Sequence, residues 1–240
     1  RNVVQGDIYR VFDNGRYLLN LNPNRGLQIV DLKDVSKPAV IGQIAMSGTP
    51  VEMYTVNNRA YILMNNLTEY QSVTSGGQAS FVPTRGAFIL TVDISQMQAP
   101  KVVDKVRVGD YFAASRLSTA RSNGLTKNAL YVASQTFSNQ RTNTIVQSFS
   151  VDPQGKLQPI TSFNLNGNAL AVQASGDYLL VANGVFEDYK NYSDINVIDI
   201  ASPDGNMLQG GAVRVTGSVR QKQNLHVRGK NLRVVSTENS

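Results

Sequence analysis

The sequence predicts an all-β protein, a β-propeller of four-stranded antiparallel blades, and two repeated patterns support that prediction. The first is a hairpin at Gly26–Ile44, in which one apolar run ends at Asp31 and, after a polar turn, a second begins at Ala39. Reduced copies of this hairpin occupy residues 87–108, 144–165 and 195–213. Self-similarity of this kind is typical of a repeat architecture, so it indicates the fold class more strongly than any single residue does.

The second pattern lies upstream of each hairpin and consists of a polar or glycine turn, an aromatic residue or leucine, and then β-formers. It occurs at residues 14–21, 57–64, 127–134, 175–182 and 228–235. A short strand is predicted before each copy, at residues 7–12, 51–56, 111–117, 169–173 and 224–227. Each repeat therefore consists of strand a, a tight turn, strand b, a loop, strand c, a turn and strand d, which is the arrangement of a propeller blade.

The repeats divide the chain into predicted blades. Their limits are about residues 6–46, 50–108, 111–165 and 169–213, with an incomplete blade at 221–236. About four and a half blades are thus expected in a single propeller domain or a part of one. An unclosed propeller leaves an unpaired sheet edge, which natural proteins avoid, so we expect further sequence to complete the ring.

The connection between strands b and c is longer in the later repeats. It is predicted to form long loops at residues 66–85, 135–143 and 184–194. Because strands alternate in direction within a blade, all these loops are expected on one face, and loops on a rigid scaffold commonly carry binding residues. Aromatic side chains on such loops suit protein or sugar surfaces. The predicted partner-binding residues are Tyr70, Phe81, Phe137, Arg141, Phe186, Tyr189 and Tyr192.

The composition argues against an enzyme. The chain has no cysteine and one histidine, His226, which excludes thiolate nucleophiles, cysteine metal sites and a two-histidine metal site within the chain. The sequence also lacks the GxSxG, SxxK, Walker and HExxH motifs. We therefore predict no catalytic residues, and we expect His226 to be a packed or capped strand residue.

Two sets of polar residues have different predicted roles. The first set recurs at one blade position, where an aspartate accepts backbone N–H groups and caps the turn; it comprises Asp31, Asp93, Asp152 and Asp199. The second set lies in one long loop and has the oxygen ligands that calcium prefers; it comprises Glu187, Asp188, Asn191 and Asp194. Calcium in this loop is the one cofactor that the sequence suggests.

The net charge of +6 is unevenly distributed along the chain. The last thirty residues hold six basic residues against Glu238 alone, which leaves 6 − 1 = +5 there. No aromatic stacking platform accompanies them, so we expect an acidic neighbouring domain or a polyanionic surface and no nucleic acid. No apolar run approaches the roughly 18 residues of a membrane helix, so no membrane insertion is expected.

The hairpin that opens the repeats resembles a known family. With IVD at Ile29–Asp31 and SKP at Ser36–Pro38, it is similar to the repeat of bacterial extracytoplasmic propellers named for their LVIVD-type strand. Residues 87–117 also resemble the C-terminal β-propeller domain of large secreted bacterial proteins. These resemblances imply a secreted or cell-envelope location, in the periplasm or at the cell surface. Residues 148–184 are similar to one blade of lactonase-type propellers.

Together these observations predict a non-enzymatic scaffold that engages a protein or glycan partner, or another domain of the same chain, through the long b–c loops. Two alternatives remain open. The first is a lactonase-like, metal-dependent hydrolase, which would need two or more buried carboxylates at a metal in the central channel. The second is a purely structural domain, whose long-loop face would be covered by its own chain.

Overall fold

The computed structural model describes residues 2–4, 8–122, 124–138 and 141–238, and side chains for all of these except residues 2–4, 75, 122, 138 and 141. The described chain is all-β, apart from a short 3₁₀ helix at Lys222–Asn224. It divides into two compact units, Gly6–Phe112 and a second that joins Arg1–Gln5 to Ala113–Ser240.

The strands are numbered in chain order. The first nine are β1 (Asn2–Val4), β2 (Tyr9–Phe12), β3 (Tyr17–Asn22), β4 (Gly26–Asp31), β5 (Ala39–Ile44), β6 (Thr49–Val56), β7 (Arg59–Ser75), β8 (Gln78–Asp93) and β9 (Lys101–Gly109). The next four are β10 (Tyr111–Ser122), β11 (Leu125–Ser138), β12 (Arg141–Val151) and β13 (Leu157–Asn166). The last six are β14 (Asn168–Ser175), β15 (Tyr178–Glu187), β16 (Lys190–Asp199), β17 (Leu208–Thr216), β18 (Leu225–Arg228) and β19 (Asn231–Val234).

Consecutive strands pair into antiparallel sheets. Three of them have the order β2-β3-β4-β5, β6-β7-β8-β9 and β14-β15-β16-β17. The sheet β10-β11-β12-β13 has β1 added along β10, and β18 pairs with β19 in a two-stranded sheet. Such sheets are propeller blades, so the predicted fold class is confirmed. The strand limits fall within a few residues of the predicted blade limits.

In the first unit, the core lies where the sheets β2–β5 and β6–β9 pack together. Leu19 and Ile29 of one sheet belong to the same buried cluster as Ile62, Met64 and Phe88 of the other. Alternate residues of a strand point to the same face, so the i and i+2 spacing of these apolar residues directs them into one core.

In the second unit, the sheet β14–β17 is buried on both faces. Leu179 and Val181 pack in a cluster with residues of the sheet β10–β13, whereas Leu180 and Ala182 pack with Val219 and other residues around β18. Because successive side chains point to opposite faces, the uninterrupted apolar run at 179–182 indicates a strand with a core on each side.

The four recurrent aspartates each accept a backbone N–H bond from the turn that follows. The donors are Lys33, Ser95, Lys156 and Ala201, to Asp31, Asp93, Asp152 and Asp199, at 2.7–2.8 Å. Such bonds are characteristic of turn caps. Hydrogen bonds from the side chain and backbone of Ser95 hold the pKa of Asp93 below its usual value, and the backbone N–H of Lys156 does the same to the pKa of Asp152.

Candidate functional site

The b–c connections predicted as long loops are β-hairpins, and that part of the prediction is wrong. Strand β7 runs on to Ser75 and β8 begins at Gln78, so only Gly76 and Gly77 form the turn. Both glycines have positive φ, +59° and +79°. Two-residue hairpin turns require such angles and favour glycine pairs, and the neighbouring residues alternate as strands do. The b–c residues are therefore an extension of the sheet.

A β-bulge lies at the root of this hairpin, whose residues 67–86 are called the ribbon below. The register shifts between the pairs Met64–Phe88 and Leu67–Gly86, so Asn65 and the positive-φ residue Asn66 are both accommodated opposite a single residue. The buried Asn65 side chain accepts a 2.7 Å hydrogen bond from the backbone N–H of Phe112. Bulges bend and twist a strand, so the chain changes direction where the ribbon begins.

The base of the ribbon is anchored to strand β9. Lys105 makes a 2.7 Å ion pair with Glu69 and lies 5.3 Å from the centroid of the Phe88 ring. Arg107 lies 6.0 Å from the same ring and makes a 2.8 Å ion pair with Asp110. Exposed pairs of this kind contribute little individually, but together they fix the geometry of the base.

The tip of the ribbon, Tyr70–Pro83, has a different character. No charged residue occurs in it. The cross-strand pairs Tyr70–Pro83 and Ser72–Phe81 place Tyr70 and Phe81 on one face, exposed by 67% and 71%. Val73 and Val82, each 44% exposed, lie on the other face. A two-stranded hairpin is marginally stable in water, and clustered exposed apolar groups indicate an interaction surface.

The other predicted contact residues lie in the second unit. On β11 and on the hairpin between β15 and β16, three aromatic side chains are exposed: Phe137 by 58%, Phe186 by 69% and Tyr189 by 96%. Tyr192 is only partly exposed. The side chain of Arg141 lies outside the described residues. The seven predicted residues are thus divided between the two units.

Arg214 of β17 occupies the face of the β15–β16 hairpin that carries two predicted calcium ligands. Its Nε and Nη2 donate to the two carboxylate oxygens of Asp194 at 2.7 and 3.0 Å, and Nη1 donates to Glu187 at 2.6 Å. The guanidinium also lies 5.4 Å from the centroid of the Tyr192 ring. These bonds, first to Asp194 and then to Glu187, raise the pKa of Arg214 above its usual value.

The structure does not bring the four predicted calcium ligands together. Glu187 and Asp194 are held by Arg214, and Asp188 lies in the turn at φ +49°. Asn191 pairs with Phe186, one position out of phase with Glu187 and Asp194, so its side chain points to the opposite face. Within the described ranges, no three acidic, histidine or cysteine residues form a group that could hold a metal ion.

Sequence reasoning missed Arg214, although it lies opposite Asp194 in the ladder between β16 and β17. Reading that pairing from the sequence would require the register, which shifts at a bulge between Asn196 and Ile198. The sequence offers one signal for this ion pair: strand c of the repeat carries an aspartate, and strand d carries a basic residue.

The basic C-terminal segment forms part of the two-stranded sheet β18–β19. Leu225 is buried there, whereas His226 and Arg228 are exposed on β18, and His226 pairs with Arg233 of β19. The expectation that His226 is packed is wrong, because strand alternation gives the buried positions to its apolar neighbours. In the described part of the chain, no helix is long and apolar enough to cross a membrane.

The repeated four-stranded antiparallel sheets define this protein as a β-propeller. The chain belongs to the beta propeller domain family, whose model matches residues 3–123, just over half of the 240 residues. The match covers the sheets β2–β5 and β6–β9 and extends through strand β10. No curated protein sequence matches the chain.

Proposed function

We propose that this chain is the binding propeller of a secreted or cell-envelope bacterial protein, and that it holds a protein partner on the ribbon at residues 67–86. The observation that carries this proposal is the uncharged tip, Tyr70–Pro83, with apolar side chains exposed on both faces. The location is inferred from the resemblance of the repeat hairpins to extracytoplasmic propellers. The proposal assigns no catalytic residue.

The backbone of the ribbon also favours a protein partner. Strand β6 pairs with β7 only as far as Asn65, and β9 pairs with β8 only from Ala87 onward. Between these points, the two ribbon strands are paired only with each other among the described strands, so each has an outer edge to which another strand can add. The carbonyl oxygens of Glu69, Val73 and Arg85 already accept hydrogen bonds from side chains. An extended segment of a partner can add to such an edge, while aromatic side chains supply the apolar contact.

Trimming the ribbon tests this proposal. Deletion of residues 70–75 and 78–83 joins Glu69 to Gly76 and Gly77 to Thr84. Because Glu69 and Thr84 are a cross-strand pair, the shortened hairpin keeps its register and its two-glycine turn. The complete protein that contains this chain serves as bait in a cell-envelope extract of its native organism. We expect the trimmed bait to melt at the same temperature as the intact one and to lose the partner.

A point variant separates the apolar face from the ribbon as a whole. Replacing Tyr70 and Phe81 by serine is expected to weaken binding of the identified partner by about 100-fold, as for the loss of two interface anchors. The matched control is Tyr111→Ser, which removes an exposed tyrosine of the same unit outside the ribbon. Undiminished capture by both the trimmed and the doubly substituted baits would show that the ribbon is not the binding element.

A further inference from the structure

A polar cleft lies beside the tip of the β15–β16 hairpin. Its volume is about 350 Å³, and it is lined by Tyr189, Lys190, Asn191, Thr216, Gly217 and Glu238. Gly217 makes the cleft possible: its φ is +86°, and a Cβ there would lie 2.6 Å from the carbonyl oxygen of Thr237. The bare backbone of Gly217 therefore lets the segment that carries Glu238 approach the hairpin.

The turn that carries Tyr189 is unusual in sequence. Asp188 and Tyr189 both have positive φ, +49° and +61°, in a two-residue turn where glycine, asparagine and aspartate are favoured, so Tyr189 is the unusual residue. A tyrosine in this region is strained, and strained residues tend to occur where function requires them. The turn presents the ring of Tyr189 to solvent with 96% of the residue exposed, at the rim of the cleft.

Two opposite charges line this cleft without pairing. Lys190 and Glu238 both contribute to its wall, and neither makes an ion pair with another described residue. Together they leave the lining without net charge, which favours a neutral ligand over an ion. They do supply donors and acceptors, alongside the amide of Asn191 and the hydroxyl of Thr216.

We propose that this cleft is a subsite for a neutral sugar, a pyranose ring at the end of, or within, an oligosaccharide. A pyranose has an apolar face of C–H groups that can stack on Tyr189 and a rim of hydroxyls that both donate and accept hydrogen bonds. Lys190, Asn191 and Glu238 provide the matching charged and amide groups. A purely apolar ligand would leave these groups unpaired, which costs binding free energy.

Ligand-observed saturation-transfer NMR on the 240-residue chain tests this inference. The probes are three neutral glycosides, methyl β-glucoside, methyl β-galactoside and methyl α-mannoside, and two charged counterparts, glucuronic acid and glucosamine. We expect at least one neutral glycoside to bind with a dissociation constant in the millimolar range and to bind more tightly than either charged sugar.

Two substitutions of Tyr189 separate the role of its ring from its effect on folding. Tyr189→Gly removes the ring and suits the positive φ, so we expect binding to weaken by about tenfold or more and the melting temperature to stay equal or rise. Tyr189→Phe keeps the stacking ring and should keep the affinity. Tyr178→Ala, which removes a tyrosine at the start of strand β15, far from the turn that carries Tyr189, is the control and should leave binding unchanged.

The inference is overturned if no neutral glycoside binds, if Tyr189→Gly binds as the parent chain does, or if only glucuronic acid or glucosamine binds. It does not depend on the ribbon, which belongs to the other compact unit. The Tyr189→Gly variant should therefore still capture the protein partner, and the ribbon-trimmed chain should still bind the sugar.

Discussion

The ribbon and the β15–β16 hairpin occupy the same b–c position in their blades, yet they are supported differently. In the sheet of the second unit, strand β17 follows the hairpin outward as far as the pair Tyr192–Thr216, close to the turn. In the sheet of the first unit, β9 stops opposite Ala87, at the base of the ribbon. The hairpin thus has a third strand beside it, whereas the ribbon has no third strand among those that the structure describes.

The side chains of the ribbon and of the β15–β16 hairpin also differ. The β15–β16 hairpin carries Glu187 and Asp194, which Arg214 of the third strand holds together. The ribbon tip carries no charge and exposes aromatic and branched apolar groups. The presence or absence of the third strand thus goes with the chemistry that each hairpin displays. The supported hairpin holds polar groups around a cleft, whereas the unsupported ribbon exposes apolar side chains on both faces.

The greatest loss of stability is expected from a substitution at Gly217, which lies beside the tip of the supported hairpin. Gly217→Ala places a side chain at φ +86° and sets its Cβ 2.6 Å from the Thr237 carbonyl oxygen. Left-handed backbone costs roughly 1–2 kcal/mol and overpacking roughly 1–3 kcal/mol, so we expect a loss of about 3 kcal/mol in urea unfolding. Gly211→Ala, where a Cβ would meet nothing within 4 Å, is the control and should change stability by less than about 0.5 kcal/mol. Similar stabilities for the two variants would refute the close contact at Gly217.

The next largest effect is expected from substitutions in the turn of the ribbon. Alanine at both Gly76 and Gly77 introduces side chains at positive φ in open space, which costs roughly 1–2 kcal/mol at each position. Because the tip is unsupported, this damage should stay local. We expect faster amide hydrogen exchange across residues 70–83 and a change in global unfolding free energy below about 0.5 kcal/mol. A large loss of global stability would show that the tip is coupled to the sheet after all.

A smaller effect is expected from Arg214→Gln. The substitution removes the guanidinium that links Glu187 and Asp194, and it leaves these carboxylates facing each other without a cation. Amide exchange at residues 184–194 should accelerate, and the effect should shrink at high salt because exposed ion pairs are screened. Lys105→Gln, which breaks the ion pair at the base of the ribbon, is the matched comparison. Equal exchange in the Arg214→Gln variant and the parent would contradict the role given to Arg214.

The smallest effect on stability is expected from a substitution of Asp93, which ends strand β8 in the same sheet as the ribbon. The hydrogen bonds from Ser95 lower the folded-state pKa of Asp93 below the usual value of 3.8. A depressed carboxyl pKa stabilises the fold above the unfolded-state pKa, and this contribution is lost as the pH falls below about 4 through the folded-state value. Asp93→Asn should therefore flatten the acid limb of the stability curve slightly, as followed by thermal melts between pH 2 and 6. An unchanged acid limb would contradict this coupling.

The repeat pattern was enough to predict the blades, because each apolar run and each turn is local in sequence. The run at 179–182 and the aspartate turns show this directly. The extended hairpins could also have been predicted, since Gly76–Gly77 between alternating β-formers is a known turn signal. The turn at Asp188–Tyr189 gives a weaker signal, because aspartate is enriched at positive φ whereas tyrosine is not.

The remaining features depend on register and on distant contacts. Arg214 meets Asp194 only in a ladder shifted by a bulge, and Glu238 reaches the cleft only because Gly217 has no side chain. The four predicted calcium ligands looked alike in sequence, yet strand alternation separated Asn191 from Glu187 and Asp194. Composition alone could not show that Asn191 lies on the other face or that Arg214 binds Glu187 and Asp194.

Hydrogen exchange of the complex tests whether the ribbon holds a protein partner. The complete protein is labelled alone and with the partner that it retrieves from the cell envelope. We predict that the largest gain in amide protection falls within residues 70–83, while residues 184–194 change little. Protection gained elsewhere, with the ribbon exchanging as fast as in the free protein, would contradict the claim.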